Sequence, residues 1–205
     1  MMETRKSNTA FEIRCADNPV VIEQRGEGDE TQDHVVGYAL KFNSLSRTIG
    51  WFREKIDRGA LENADMNDVV ALFNHNIDMV LARTISKTLT LEVDDAGLRY
   101  SFSPPNTTAG RDLVESLKRG DVQHSSFSFS ISEDKWEEDE EGNEIRTVLK
   151  IKRLYDVSPV VNPAYLQATS ELAKRSYDEW KESQKPKHDD LKDAEAELNI
   201  RKILL

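Results

Sequence analysis

The segment Gly120–Ser130, GDVQHSSFSFS, carries serines at 125, 126, 128 and 130. Serine fills a core poorly and propagates a helix poorly, so hydroxyls at this density raise the question of a nucleophile. A serine attacks only when a base takes its proton and a third group orients that base. Period-2 alternation puts Phe127, Phe129 and Ile131 on one face of a strand and Ser126, Ser128 and Ser130 on the other. Ser125 shares the parity of the phenylalanines and is expected to point inward. Ser126 is expected to face a groove and is the candidate nucleophile. A solvated strand face would carry the same pattern, because a lone serine is no motif.

The bases available are His34, His75, His124 and His188. His75 follows the apolar run Val69–Phe73, which reads as a strand buried on both faces, so it sits at the exit of a rigid element. It is the candidate base, although an ordinary strand-end histidine would look alike. His124 lies two residues before Ser126 with the same parity, but one strand does not readily give in-line geometry, so it is an auxiliary candidate. His34 opens a strand beside an acidic loop, and His188 lies in a charged C-terminal stretch. Asp156, in the strand expected to pair with the serine strand, is the candidate orienting acid; a plain strand-end carboxylate is the alternative. Oxyanion donors are expected among backbone N–H groups near the nucleophile, or from an arginine such as Arg111 or Arg119.

Other chemistries find less support. Cys15 is the only cysteine, which excludes an intrachain disulfide and a zinc–cysteine cluster within this sequence and fits a reducing compartment. It has no flanking glycine or helix signal to favour its thiolate. There is no HExxH pair and no phosphate-cradling glycine loop, and the acidic run 133–141 lacks calcium-loop order. No cofactor and no metal are expected. The formal net charge of -10 argues against nucleic acid and acidic membrane surfaces as partners. No apolar run approaches the roughly 20 residues that cross a bilayer, and the start of the chain has no secretory h-region, so no export is expected.

The elements that must position these residues are mostly strands. TAFEIRC, PVVIEQR, HVVGYALKF (with Gly37 a bulge or close-approach site), WFREKI and Val69–Phe73 are expected strands, and SKTLTLEVDDAGLRYSF is a hairpin. DRGALENA is expected to form one or two helical turns. A helix is predicted from Thr107 or Thr108 to Gly120, with Leu113, Val114 and Leu117 as its apolar stripe. The serine strand, predicted over 125–132, and IRTVLKIKRLYDVSPVV form a second hairpin across an acidic turn tipped by Gly142, with Pro159 and Pro163 ending regular pairing. After Ala168 the composition becomes charge-dense and helix-prone, predicting a tail outside the core.

The order of GYALKFN, FREKIDRGAL, DVVALFNHN, LARTISKTLTLEVDDAGLRYSF, GRDLVESLKRGDVQHSSFSFS and LYDVSPVVNPAY, from about Gly37 to Tyr165, resembles the prohead (capsid maturation) proteases of tailed phages. Their fold is related to the herpesvirus assemblins. The resemblance implies a mixed, mainly β fold: a compact assemblin-like β-barrel flanked by helices, with a charged helical C-terminal tail. The implied divisions are 1–33 (strands and an acidic loop), 34–168 (protease domain) and 169–205 (tail, removable by self-cleavage). It implies Ser126 as nucleophile, His75 as base and Asp156 as third member. Gln123-His124-Ser125 stands where relatives often carry small residues, so His124 crowds the site, and the third member in assemblins is a histidine. The implied activity is a serine endopeptidase that cuts the scaffold segment of the major capsid protein and itself, inside the procapsid in the bacterial host cytoplasm. A non-catalytic capsid assembly protein on the same barrel is the rival reading.

Overall fold

A computed structural model describes residues 11–26, 32–161 and 170–184. The order is β1 (Glu12–Pro19), β2 (Val21–Arg25), β3 (Gln32–Lys41), β4 (Phe52–Ile56), β5 (Val70–Phe73), β6 (Asn76–Arg83), β7 (Thr90–Val93), β8 (Gly97–Phe102), α1 (Thr108–Arg119), β9 (His124–Glu138), β10 (Glu144–Val160) and α2 (Ser170–Ser183). The fold is mainly β.

The strands form two sheets. The first runs β1-β9-β10-β5-β6, with β4 joining β10 in parallel at its opposite end; the second runs β2-β3-β8-β7. The expected barrel differs here: among the described residues the ladders do not close. The long β9/β10 hairpin is the spine: β10 carries β4 at one end and β5 at the other, and β9 carries β1 along its first half. The two sheets share an apolar core that includes Val35, Leu98 and Tyr100 from one and Ala71, Phe127, Phe129, Leu154 and Val157 from the other, with Leu113 of α1.

Three local expectations change. DRGALENA forms successive i→i+3 turns, Asp57 O to Ala60 N and Gly59 O to Glu62 N, not a helix. The reason is tertiary: Ala60 O and Asp65 N are drawn to Ile151 N and Lys152 O on β10. The acidic tip is shorter than expected, since β9 runs on to Glu138 and only the connection after it turns, with Gly142 at φ 81°. Glu133, Glu137 and Glu138 on that extension pair with Lys150, Lys55 and Lys181. Pro159 does not end pairing, for it stands opposite Ser125 and Val160 opposite His124. Pro163 lies outside the described residues.

Helix α1 matches its signals: Thr107 Oγ1 accepts from Gly110 N at 3.2 Å, and Gly120 closes it at φ 78°. The helical part of the expected tail is joined to the body. Ala173, Tyr177 and Trp180, spaced i, i+4, i+7, form one face of α2 and pack on Ile49, Phe52 and Trp136. Below that face lies a buried charge network. Arg14 is bidentate to Glu54 and bonds Glu12, Arg146 bonds Glu12, Glu54 and Asp134, and Asp134 accepts from Ser176 of α2. Burial pulls the Arg14 guanidinium down, but the Glu54 and Glu12 carboxylates outweigh it and hold it above its ordinary range.

Candidate active site

Three elements deliver the site. The β5/β6 hairpin turns in two residues, Asn74 and His75, with φ of 53° and 57°. Positive φ at both central residues is what a tight hairpin of right-twisted strands requires, and Asn and His tolerate it better than most residues. The turn is tied to the end of β10: Asn74 N donates to Pro159 O at 3.0 Å, and Val161 N donates to Asn74 Oδ1 at 3.0 Å. Strand β6 was not foreseen, and with it the turn that aims His75 was invisible.

The second device is a bulge. Along β10, Leu154 pairs with Phe129 and Asp156 with Ser128, so two steps on β10 face one on β9 and Tyr155 is the extra residue. Simple alternation would send Asp156 to the same side as Leu154, into the core. The bulge re-aims it to the serine face and restores Val157 to the core, opposite Phe127. Ser158 then stands opposite Ser126.

The serine face is therefore not a wet strand surface. Ser126 and Ser158 are 0% exposed and Ser128 is 2% exposed. Ser125 points the other way, as its parity required, and its Oγ meets Tyr100 Oη at 2.8 Å. Gly37 makes room for that contact, since a Cβ there would lie 2.6 Å from Tyr100 Oη and 2.8 Å from Ser125 Oγ. Burial in the core pushes the Tyr100 hydroxyl far above its ordinary pKa, so it stays a neutral partner.

On the opposite face the three candidates converge. His75 Nε2 lies 2.6 Å from Ser126 Oγ, and His75 Nδ1 lies 2.6 Å from Asp156 Oδ1. A carboxylate only accepts, so Nδ1 carries the proton and Nε2 is left as acceptor for the serine hydroxyl. Arg14 O, on β1, lies 2.9 Å from the same Oγ and competes for that proton. Asp156 also accepts from Ser158 Oγ at 2.8 Å on Oδ1 and from Ser128 Oγ on Oδ2. A hydroxyl, an imidazole and a carboxylate in this sequence can move a proton off the hydroxyl.

The remaining candidates stand apart. His124 opens β9 opposite Val160 and enters none of these hydrogen bonds. His34 is on β3, with Nε2 3.4 Å from Ser103 Oγ, and His188 lies outside the described residues. Arg111 is held by Asn106 and Arg119 by Asp121, so neither aims at Ser126. Ser128 and Ser158 were missed, though the parity that singled out Ser126 also covered Ser128.

The sequence profile of the Caudovirus prohead serine proteases matches residues 20–183. This chain belongs to that family. The family match runs from Val20, the single residue between β1 and β2, to the end of α2; it contains Ser126, His75 and Asp156 and leaves β1 outside. Among solved structures, the prohead protease family member resembles the bacteriophage T4 capsid assembly protease, gp21, at 12% identity over 74% of this chain and 98% of that chain, with a TM-score of 0.49. No curated protein matches it. No described helix is long and apolar enough to cross a membrane.

Proposed function

We propose that this prohead protease family member is a serine endopeptidase of capsid maturation, with Ser126 as nucleophile, His75 as general base and Asp156 as the orienting acid. The observation that carries the reading is the pair of 2.6 Å contacts that links hydroxyl, imidazole and carboxylate from three separate elements. Structural packing does not ask for that order of groups; acyl transfer does.

The reaction follows from the geometry. Ser126 Oγ bonds to a peptide carbonyl carbon while His75 Nε2 takes the hydroxyl proton. Asp156 holds the Nδ1–H and stabilises the imidazolium that forms. The C–N bond then breaks as His75 gives that proton to the leaving amine. Water, deprotonated by the same imidazole, adds to the acyl carbon, the Oγ–C bond breaks, and His75 returns the proton to Ser126 Oγ. Ser126 has no exposed surface in this state, so substrate entry requires the serine face to open.

The substrates proposed are the scaffold segment of a major capsid protein and the chain itself, cut within a procapsid. Family membership supports the first, and the charge-dense composition after Ala168 motivates the second. Co-expression of the full chain with its capsid protein, read by intact mass, tests both. Wild type should trim both proteins and Ser126→Ala neither. Equal trimming by the two would remove Ser126 from the mechanism.

A further inference from the structure

The site has more hydroxyls than a nucleophile requires, and two of them, Ser128 on β9 and Ser158 on β10, converge on one carboxylate. Across the β9/β10 ladder Ser126 faces Ser158 and Ser128 faces Asp156, a block of four residues beneath the His75 ring. Ser158 donates to Oδ1, the oxygen that also takes the His75 N–H, at 2.8 Å; Ser128 donates to Oδ2. Ser158 Oγ is also 3.3 Å from His75 Nδ1. Both carboxylate oxygens are thus anchored from two different strands.

We infer that Ser128 and Ser158 are positioning residues that hold the Asp156 carboxylate in the plane and rotamer that His75 needs. The inference rests on the protease reading above and deepens it. Three features carry it. Asp156 is only 8% exposed, so water cannot supply the donors that a buried carboxylate demands. It sits directly after a bulge, where strand geometry alone leaves its side-chain direction less constrained. Each serine stands on a different side of the carboxyl, so together they fix rotation about the last side-chain bond, which either alone would leave free. Neither hydroxyl bonds Ser126 Oγ or His75 Nε2, the atoms that exchange the proton; Ser128 acts through Asp156, and Ser158 chiefly through Asp156 with a longer contact to the Nδ1 side of the ring.

The test combines processing rate with a spectroscopic readout on the full chain. Ser158→Ala and Ser128→Ala should each slow capsid-protein trimming about 10- to 100-fold, the scale of loss when a catalytic group is misplaced by about an ångström. In an Asp156→Asn background the same changes should cost nothing further, because their route of action is already gone. In the free protein the His75 Nδ1 proton, assigned by its loss in His75→Ala, should resonate far downfield and move or broaden in both serine variants. Undiminished trimming, costs that simply add in the Asp156→Asn background, or an unmoved proton resonance would each overturn the inference. If Ser158→Ala fails to fold, Ser128→Ala on the other strand gives the same readings. If Ser126→Ala trims as well as wild type, the protease reading falls, and the resonance still decides the clamp separately.

Discussion

At the scale of single residues, the His75 turn is the point where backbone conformation and chemistry meet. Asn74 does two things: it accepts a positive φ and its amide oxygen receives Val161 N–H. Substitutions separate the two. Asn74→Gly keeps the backbone easy and loses only the tether, whereas Asn74→Ala loses the tether and forces a Cβ into the left-handed region, at about 1–2 kcal/mol. Thermal unfolding of both should rank wild type above Gly and Gly above Ala, and trimming rates should fall in the same order. An alanine variant as stable as the glycine variant would show that the turn does not hold the φ described.

At the scale of elements, the site depends on one strand bulge and one missing side chain. Deleting Tyr155 removes the bulge, and a one-residue slip in a strand exchanges its faces. The expected outcome is loss of trimming as complete as in Asp156→Asn, and an active deletion variant would mean that the bulge does not aim the acid. Gly37→Ala, on the facing sheet, drives a methyl into the Tyr100–Ser125 contact directly behind the nucleophile. Both neighbours are fully buried, so overpacking should cost about 1–3 kcal/mol in chemical denaturation. A neutral Gly37→Ala would show that β3 and β9 have slack between them.

At the scale of the whole molecule, β1, the β9/β10 hairpin and α2 are joined through the buried charges, and β1 carries the carbonyl that meets Ser126. Truncating one partner of such a network leaves uncompensated charge in a dry site and typically costs about 3–5 kcal/mol. Arg14→Ala leaves the buried Glu12 and Glu54 sharing the single Arg146 guanidinium and should approach that loss, measured by denaturant unfolding. Arg14→Met together with Glu54→Leu should recover much of it, since an apolar pair of similar size needs no counter-charge. Ala173→Glu probes the other end of the assembly: a carboxylate in the fully buried contact of α2 should undock the helix and lower the melting temperature by several degrees.

The sequence by itself determined the strand-rich class, the α1 helix with both caps, the parity of Ser125 and Ser126, and the candidates Ser126, His75 and Asp156. Each is written in local pattern: alternation, apolar runs, capping residues and the order of a few short segments. The helical face Ala173, Tyr177, Trp180 was equally local, yet the surrounding charge hid it. What only the tertiary structure decided was how those candidates meet. The bulge at Tyr155, the docking of α2 and the drawing of residues 57–64 into turns all arise from hydrogen bonds or apolar packing between segments far apart in the chain, and the β5/β6 turn, though local, is tied in place by the distant end of β10. Alternation alone would have buried Asp156 in the core, because no local signal marks a bulge. The requirement that Leu154 and Val157 both enter the core, across an odd number of intervening steps, is what turns the carboxylate toward His75.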